Sequence, residues 1–175
     1  MAALRRALLA GSIGWAVLLP LASFAASRPA PARWWYTGAF LIYGLGSVVC
    51  HQLPARSFEL WSTQMPVCAR CTGIYAGAAV AAGLVTLRSW ANGRGPLTLG
   101  PLSAARTVRV LLAVAAVPTV VTLVFEWTTG VAPSNAIRAG AGVPLGAAVI
   151  LVILAAFHDA HDLSGRPLQV RRKVN

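Results

Sequence analysis

Five long apolar runs dominate this chain of 175 residues, and they constrain its fold more than any other feature of the sequence. A helix needs about 20 apolar residues to cross the hydrocarbon core of a bilayer. The runs, at 8–26, 34–49, 72–87, 108–125 and 137–157, reach or approach that length. Only 11% of the residues are charged, whereas a soluble domain carries roughly 25%. We therefore predict an all-α fold, a polytopic transmembrane bundle of about five helices that forms a single domain over 1–175 within the lipid bilayer.

The first apolar run is open to two interpretations. Arg5 and Arg6, the apolar stretch and the small residues of 23–27 also match a cleaved secretory signal peptide. The run is long for a signal peptide, which favours a retained helix. Cleavage would leave four helices.

The formal charge of +11 comes from fifteen basic and four acidic residues. The basic residues fall between the apolar runs and in the tail, as expected of side chains that hold helix ends near anionic lipid headgroups. This placement argues against nucleic acid as a partner.

The basic residues also predict an orientation. With five spans, one side of the membrane would carry ten of them and the other five. Because basic residues concentrate on the cytoplasmic side, we expect a cytoplasmic C-terminus and an extracytoplasmic 51–67 loop in the inner (plasma) membrane of a bacterial cell. Arg5 and Arg6 count against this orientation. In either orientation the loops at 51–67 and 127–135 share one face.

All three cysteines lie around the loop that joins the second and third runs. Cys68 and Cys71 form a Cys-x-x-Cys pair, a spacing that lets two thiolates chelate one metal ion. Cys50 and His51 could complete a tetrahedral set, and such ligands favour zinc, with iron as second choice. Adjacent residues chelate one ion with difficulty, so the alternative is that only one of them binds and water or substrate fills the fourth position.

Two other interpretations of the cysteines remain open. Cys68 and Cys71 could form a disulfide or carry thiol–disulfide or quinone-linked redox chemistry, with Cys50 as a resolving thiol and Arg70 lowering a thiol pKa. Cys50 could also simply pack as a small hydrophobic residue.

Charged side chains gather beside the same loops. Arg56, Arg70 and Arg138 lie near one membrane face. Two acids are expected at the same face, Glu126 at a helix end and Glu59 in the loop. An unpaired charge at a membrane boundary is costly, so we expect Glu126 to pair with one of these arginines. A structural ion pair is one interpretation of the group.

An anion or substrate pocket beside the metal is the other interpretation. It would be formed by Arg56, Arg70, Ser134, Asn135 and Arg138. Ser134 has the position of an N-cap on the fifth helix, whose positive end favours anions. Asn135 and Arg138 are three residues apart and would share a helical face.

A second group of possible metal ligands follows the fifth run. It comprises His158, Asp159, His161 and Asp162, and helical spacing would let two of them bind one ion. We favour a solvated helix end with a C-cap near Gly165, because this group should lie on the face opposite the cysteines.

The cysteine loop also carries a recognisable pattern. Residues 50–58, CHQLPARSF, followed by 65–77, MPVCARCTGIYAG, resemble the signature of the domain-of-unknown-function family 2085, small membrane proteins of bacteria and archaea. Ser134, Asn135, Arg138, Gly140 and Gly146 extend this resemblance. Members often carry Asp-Gly just after the fourth helix, where this chain has Glu126-Trp127, so the local turn should differ. The resemblance implies a shared site but no particular activity.

Three functions are compatible with these residues. The metal could be structural in an accessory or scaffold subunit with a membrane protein partner or a second copy. The protein could instead be a small metalloenzyme acting on an anionic headgroup or phosphate, with Glu126, Glu59 or His51 as the base. Redox chemistry is the third. No nucleophile elbow, phosphate-binding glycine loop or metalloprotease helix motif is present, which favours a non-catalytic role.

Overall fold

Five α-helices form the bulk of the protein in this computed structural model, which describes residues 2–29, 32–91 and 105–164. The helices are α1 (Ala2–Ala26), α2 (Arg33–Val49), α3 (Ala69–Ala91), α4 (Ala105–Thr129) and α5 (Asn135–Ser164). All except α2 are long and apolar enough to cross a membrane. The predicted all-α membrane bundle is confirmed.

The helices extend beyond the apolar runs at most of their ends. Glu126, expected just after the fourth helix, instead lies inside α4, which continues to Thr129. Pro20, Pro118 and Pro144 all lie inside helices. Such prolines are tolerated in membrane helices because neighbouring groups satisfy the freed carbonyls.

The segment between α2 and α3 is more ordered than the polar loop predicted for it. A 3₁₀ turn (Pro54–Arg56) leads into a hairpin of β1 (Ser57–Leu60) and β2 (Thr63–Cys68). Trp61 and Ser62 make its two-residue turn, with φ of 52° and 58°. Two positive φ values are typical of type I′ turns, which usually contain Asn or Gly. The hairpin went unpredicted because the sequence lacks those residues there.

The most extensive helix contact joins α3 to α5, and four glycines make it close. A Cβ atom at Gly73 or Gly77 of α3 would overlap a backbone carbonyl of α5. Gly142 and Gly146 of α5 approach carbonyls of α3 in the same way. Each helix therefore presents a Gly-x-x-x-Gly pair to the other, which allows the two backbones to touch.

Helix α1 lies antiparallel to α3. Near the start of α1, Leu9 packs in a buried cluster with Val85 of α3 and Leu154 of α5. Near its end, Phe24 contacts Trp61 of the hairpin turn edge-on, with ring centroids 5.2 Å apart. The bundle thus has a hairpin end and, opposite it, a terminal end where α1 begins and α5 ends.

Helix α2 stays near the hairpin end. Its first turn, at Trp34 and Trp35, lines an apolar groove together with Ala25 of α1. Directly after its last turn, the sulfur of Cys50 accepts a hydrogen bond from the backbone N–H of Cys68. The first turn of α2 thus lies beside the end of α1, and its last turn lies beside the end of β2. The span expected at 34–49 stays a prediction. Helix α1 contributes the buried residues Leu19 and Ser23 to the core.

The glycine contact predicts unequal effects of two alanine substitutions on α3. Gly77→Ala should destabilise the protein by about 1–3 kcal/mol, because the new methyl group must displace the backbone of α5. Gly83→Ala is the matched control, since nothing lies within 4 Å of its added Cβ. Thermal unfolding in detergent, followed by circular dichroism, measures the difference. Equal melting temperatures for the two variants would contradict the close packing of α3 on α5.

Candidate metal centre

Three sulfur atoms converge at the hairpin end. The Sγ atoms of Cys50, Cys68 and Cys71 all lie within 4.8 Å of one another. Cys50 is the C-cap of α2, Cys68 is the last residue of β2, and Cys71 lies in the first turn of α3. Residues from three elements thus come together at one point, although Cys50 and Cys68 are 18 positions apart in the sequence.

A backbone hydrogen bond supports this arrangement. The N–H of Cys68 donates to the sulfur of Cys50 at 3.1 Å. A donor of this kind stabilises a thiolate, and hydrogen bonds to the ligands fix their orientation in metal centres. The bond also fixes the end of α2 against the end of β2.

Apolar side chains enclose the sulfurs. Cys50 is buried in a cluster with Leu19 of α1 and with Met65 and Val67 of β2. Trp15 and Tyr75 pack against this cluster and meet edge-on, with ring centroids 5.9 Å apart.

Sequence reasoning missed the two aromatic residues of this wall. Tyr75 could have been found, because it follows Cys71 by one helical turn and shares its face. Trp15 is distant in sequence and gives no local signal.

The thiols differ in their ionisation. The hydrogen bond from the thiol of Cys71 lowers the pKa of Cys68 to about 5, against the opposing effect of burial. Cys68 is therefore a thiolate at neutral pH, which is the form that binds metal and attacks electrophiles.

His51 is not part of the group of converging atoms. The side chains that meet within 4.8 Å are the three cysteines only, over the residues that the structure describes. His51 itself is exposed. The structure thus brings together three of the four predicted metal ligands.

Gln52 attaches the hairpin to α2. Its Nε2 donates to the carbonyls of Tyr43 at 2.8 Å and Pro66 at 2.6 Å. The backbone carbonyl of Gln52 accepts a hydrogen bond from Nε2 of Gln64 at 2.5 Å, and the hydroxyl of Tyr43 donates to the backbone carbonyl of Gln64. Gln52 stands in the pattern quoted above, but only the folded hairpin shows that its amide positions β2 and hence Cys68.

The expected ion pair of Glu126 is present and involves two arginines. Nη2 of Arg138 lies 3.0 Å from Oε1 of Glu126, and Nη2 of Arg56 lies 2.7 Å from the same oxygen. Glu126 and Arg138 are buried, whereas the Arg56 side chain is half exposed.

The first residues of α5 connect this ion pair to the hairpin. The side chain of Ser134 accepts a bond from the N–H of Ile137, so it is the N-cap that the sequence indicated. Asn135 donates to the carbonyl of Ser57 at 2.8 Å, and its Oδ1 lies 3.5 Å from Nη1 of Arg138. These contacts bring the 51–67 and 127–135 loops together, as expected.

Arg70 points away from the thiols. Its Nη2 donates to the hydroxyl of Thr122 on α4, and its backbone lies against Gly142 of α5. Cys71, the next residue, belongs to the cluster with α1. Arg70 and Cys71 therefore lie on different faces of α3, so the arginines are on one side of this helix and the sulfurs on another. Glu59 is exposed on β1.

The second predicted group of ligands falls partly outside the described residues. His158, Asp159, His161 and Asp162 belong to the helical backbone of α5, but their side chains lie outside the described part of the chain. The proposed C-cap at Gly165 lies outside it as well.

The ionisation of Cys68 predicts its reactivity in metal-free protein. Alkylation of Cys68 by iodoacetamide should stay fast from neutral pH down to about pH 5 and slow below it, as the thiolate becomes protonated. Cys71→Ala should move this transition to higher pH, and Cys71→Ser, which keeps a donor, should move it less. Mass spectrometry of the modified peptide gives the rates. A transition above pH 8 in the unsubstituted protein would contradict the assigned hydrogen bond.

Comparison with known proteins places the chain among membrane proteins. An uncharacterized protein of Methanocaldococcus jannaschii is 40% identical over 60 residues, 34% of this chain and 38% of that protein. One of Methanothermobacter thermautotrophicus is 53% identical over 30 residues, 17% of this chain and 27% of that protein. The chain thus spans well under half of either relative, and no solved structure matches. The family described as "Predicted membrane protein (DUF2085)" matches residues 50–152, more than half of the chain, and this protein belongs to that family.

Proposed function

We propose that this membrane protein binds one zinc ion through the thiolates of Cys50, Cys68 and Cys71, and that the metal joins α2, the hairpin and α3 at one membrane face. The convergence of the three sulfurs is the observation that carries this proposal. Zn–S bonds of about 2.3 Å place tetrahedral sulfurs roughly 3.8 Å apart, so metal binding needs movements of at most about 1 Å.

The donor set determines the choice of metal. Three thiolates form a soft site, which favours zinc, with iron as the second candidate. Structural zinc sites usually have four protein ligands, and three leave one position for water or another ligand. His51 adjoins Cys50 in sequence and is the residue of this chain that could occupy it.

A structural role in an accessory or scaffold protein agrees best with the surroundings. Hydrolytic metal sites need a general base beside the metal. Glu126 is paired with two arginines, and Glu59 and His51 are exposed. The proposed anion pocket faces α4 and α5, whereas the sulfurs face α1. The metalloenzyme alternative therefore lacks a base and a substrate site next to the metal among the described residues.

Redox chemistry is the second candidate function, favoured by the low pKa of Cys68. In that case the Cys68 thiolate and the Cys71 thiol would form a disulfide and release two electrons and one proton. An electron acceptor such as a quinone would take up these together with a second proton from water. Such a site would hold no metal in its active form.

We also propose four membrane crossings, by α1, α3, α4 and α5, with α2 at the outer boundary. The terminal end then carries ten basic residues and the hairpin end five, namely Arg28, Arg33, Arg56, Arg70 and Arg138. Arg5 and Arg6 now join the majority, so the positive-inside rule favours this arrangement without an exception at the first helix. The cysteines accordingly face the outside, and both termini face the cytoplasm.

Elemental analysis tests the metal proposal. Detergent-purified protein should contain about one equivalent of zinc, and Cys68→Ser should lose it because two thiolates hold zinc too weakly. His51→Ala is the control variant, because the three sulfurs should retain zinc without the imidazole. Cobalt-substituted protein would report the same difference through its absorption bands. Metal-free unsubstituted protein whose Cys68 and Cys71 oxidise reversibly would instead support the redox function.

Reporter fusions test the crossings. Green fluorescent protein fused to either terminus should fluoresce, and alkaline phosphatase fused to either should be inactive, because both termini are cytoplasmic. A phosphatase inserted after Ser62 in the hairpin turn should be active. Five crossings would place the two termini on opposite sides and make one terminal phosphatase fusion active.

A further inference from the structure

A second group of side chains at the hairpin end carries more positive charge than its own residues balance. Arg56 and Arg138 contact the carboxylate of Glu126, and Arg70 donates to Thr122 one turn earlier on α4, so these four charged residues sum to a formal charge of +2. Arg56 is half exposed and is solvated in part. Arg138, only 2% exposed, is balanced by Glu126, so the remaining positive charge belongs to Arg70, which is partly exposed. We call Arg56, Arg70, Glu126 and Arg138 the arginine cluster.

Three polar atoms of the arginine cluster are buried without a hydrogen-bond partner among the described residues. They are Nε of Arg70, Nε of Arg138 and Oε2 of Glu126. The other oxygen of Glu126, in contrast, is contacted by two guanidinium groups. Buried groups of this kind cost roughly 1–3 kcal/mol each when nothing satisfies them, and more when they are charged.

Arg70, Glu126 and Arg138 belong to three neighbouring helices, whereas Arg56 comes from the 3₁₀ turn. Glu126 follows Thr122 by one turn of α4, so the two side chains share a face. Thr122 accepts the bond from Arg70 at 3.3 Å, and Glu126 accepts the bond from Arg138 at 3.0 Å. Arg70 and Arg138 therefore reach α4 at successive turns, one from α3 and the other from α5.

Among the described residues Arg70 contacts no carboxylate, and a counterion stabilises a charge that is partly removed from water. Water would satisfy hydrogen bonds but not the charge. The unpartnered atoms restrict the counterion further, because two N–H groups require an acceptor and the carboxylate oxygen requires a donor. Chloride, sulfate and phosphodiesters offer acceptors but no hydroxyl.

We propose that the arginine cluster binds a phosphate group that retains a hydroxyl, as in inorganic phosphate or a phosphate monoester. Its unprotonated oxygens accept from Arg70 and Arg138, and its P–OH donates to Oε2 of Glu126. Guanidinium groups are the preferred partners of phosphate because their donors match its geometry. Free phosphate and the headgroup of a phosphatidic acid share this chemistry. The site is separate from the cysteines and does not require the metal.

Isothermal titration calorimetry of the full chain in detergent tests the proposal, with inorganic phosphate, sulfate and chloride at equal ionic strength. Phosphate should bind more tightly than sulfate, and chloride should bind least. Arg70→Gln should weaken phosphate binding about tenfold or more, because a charge-assisted hydrogen bond is lost. Arg109→Gln is the control, since it removes the same charge from an exposed position of α4 and should leave the affinity unchanged.

Glu126→Gln provides a second variant with a different expected result. The amide oxygen is a weaker, uncharged acceptor for the P–OH, and the new NH2 group can donate to either oxyanion. The preference for phosphate over sulfate should therefore be largely lost even where some affinity remains. This selectivity also separates ligand binding from a loss of folding, which would abolish both affinities. Zinc content, measured on the same samples, should not change in Arg70→Gln.

Competition by lipid identifies the source of the phosphate. Phosphatidic acid added in mixed micelles should displace inorganic phosphate if the ligand is a headgroup, with phosphatidylglycerol, a phosphodiester, as the negative control. Failure of phosphatidic acid to compete would assign free phosphate, and either result supports the site. Equal affinities for phosphate and sulfate, or unchanged phosphate binding in Arg70→Gln, would overturn it.

Discussion

The contact between the backbones of α3 and α5 positions both chemical groups of this protein. Four glycines allow the two helices to touch, and a single methyl group at any of them would push the helices apart. Helix α3 begins at Ala69, directly after the last residue of β2, so its first turn lies next to both the hairpin and α5. Arg70 then reaches α4, and Arg138 reaches Glu126. A wider spacing would separate these partners and leave their charges unpaired inside the bundle.

Two kinds of chemistry occupy different faces of the first turn of α3. Cys71 and Tyr75 face α1 in an apolar setting, whereas Arg70 faces α4 in a polar one. Adjacent helical residues point about 100° apart, so a one-residue step suffices to separate them. The separation keeps the positive charges of the arginines at a distance from the thiolates, and the hydrogen bond from Cys71 provides the main effect on the pKa of Cys68.

Local patterns predicted the helices, the cysteine pair, the N-cap at Ser134 and the pairing of Glu126, because each depends on residues close in sequence or on the cost of a buried charge. The hairpin was missed because its turn, Trp61-Ser62, lacks the usual residues. The contacts of α2 with α1 and the hairpin could not be predicted, because they depend on tertiary packing rather than on the apolar run of 17 residues itself. The role of Gln52 depends on tertiary contacts that no local pattern encodes.

The family match begins at Cys50, directly after α2. All three sulfurs thus belong to the matched part of the chain, while Trp15 and Leu19, which cover them, come from α1 outside it. The sulfurs and their covering are encoded in different portions of the sequence. A change in α1 can therefore alter how well solvent or oxidants reach the sulfurs without altering the sulfurs themselves. In proteins that share the matched part but differ in the first helix, the same three thiols would react with thiol reagents at different rates.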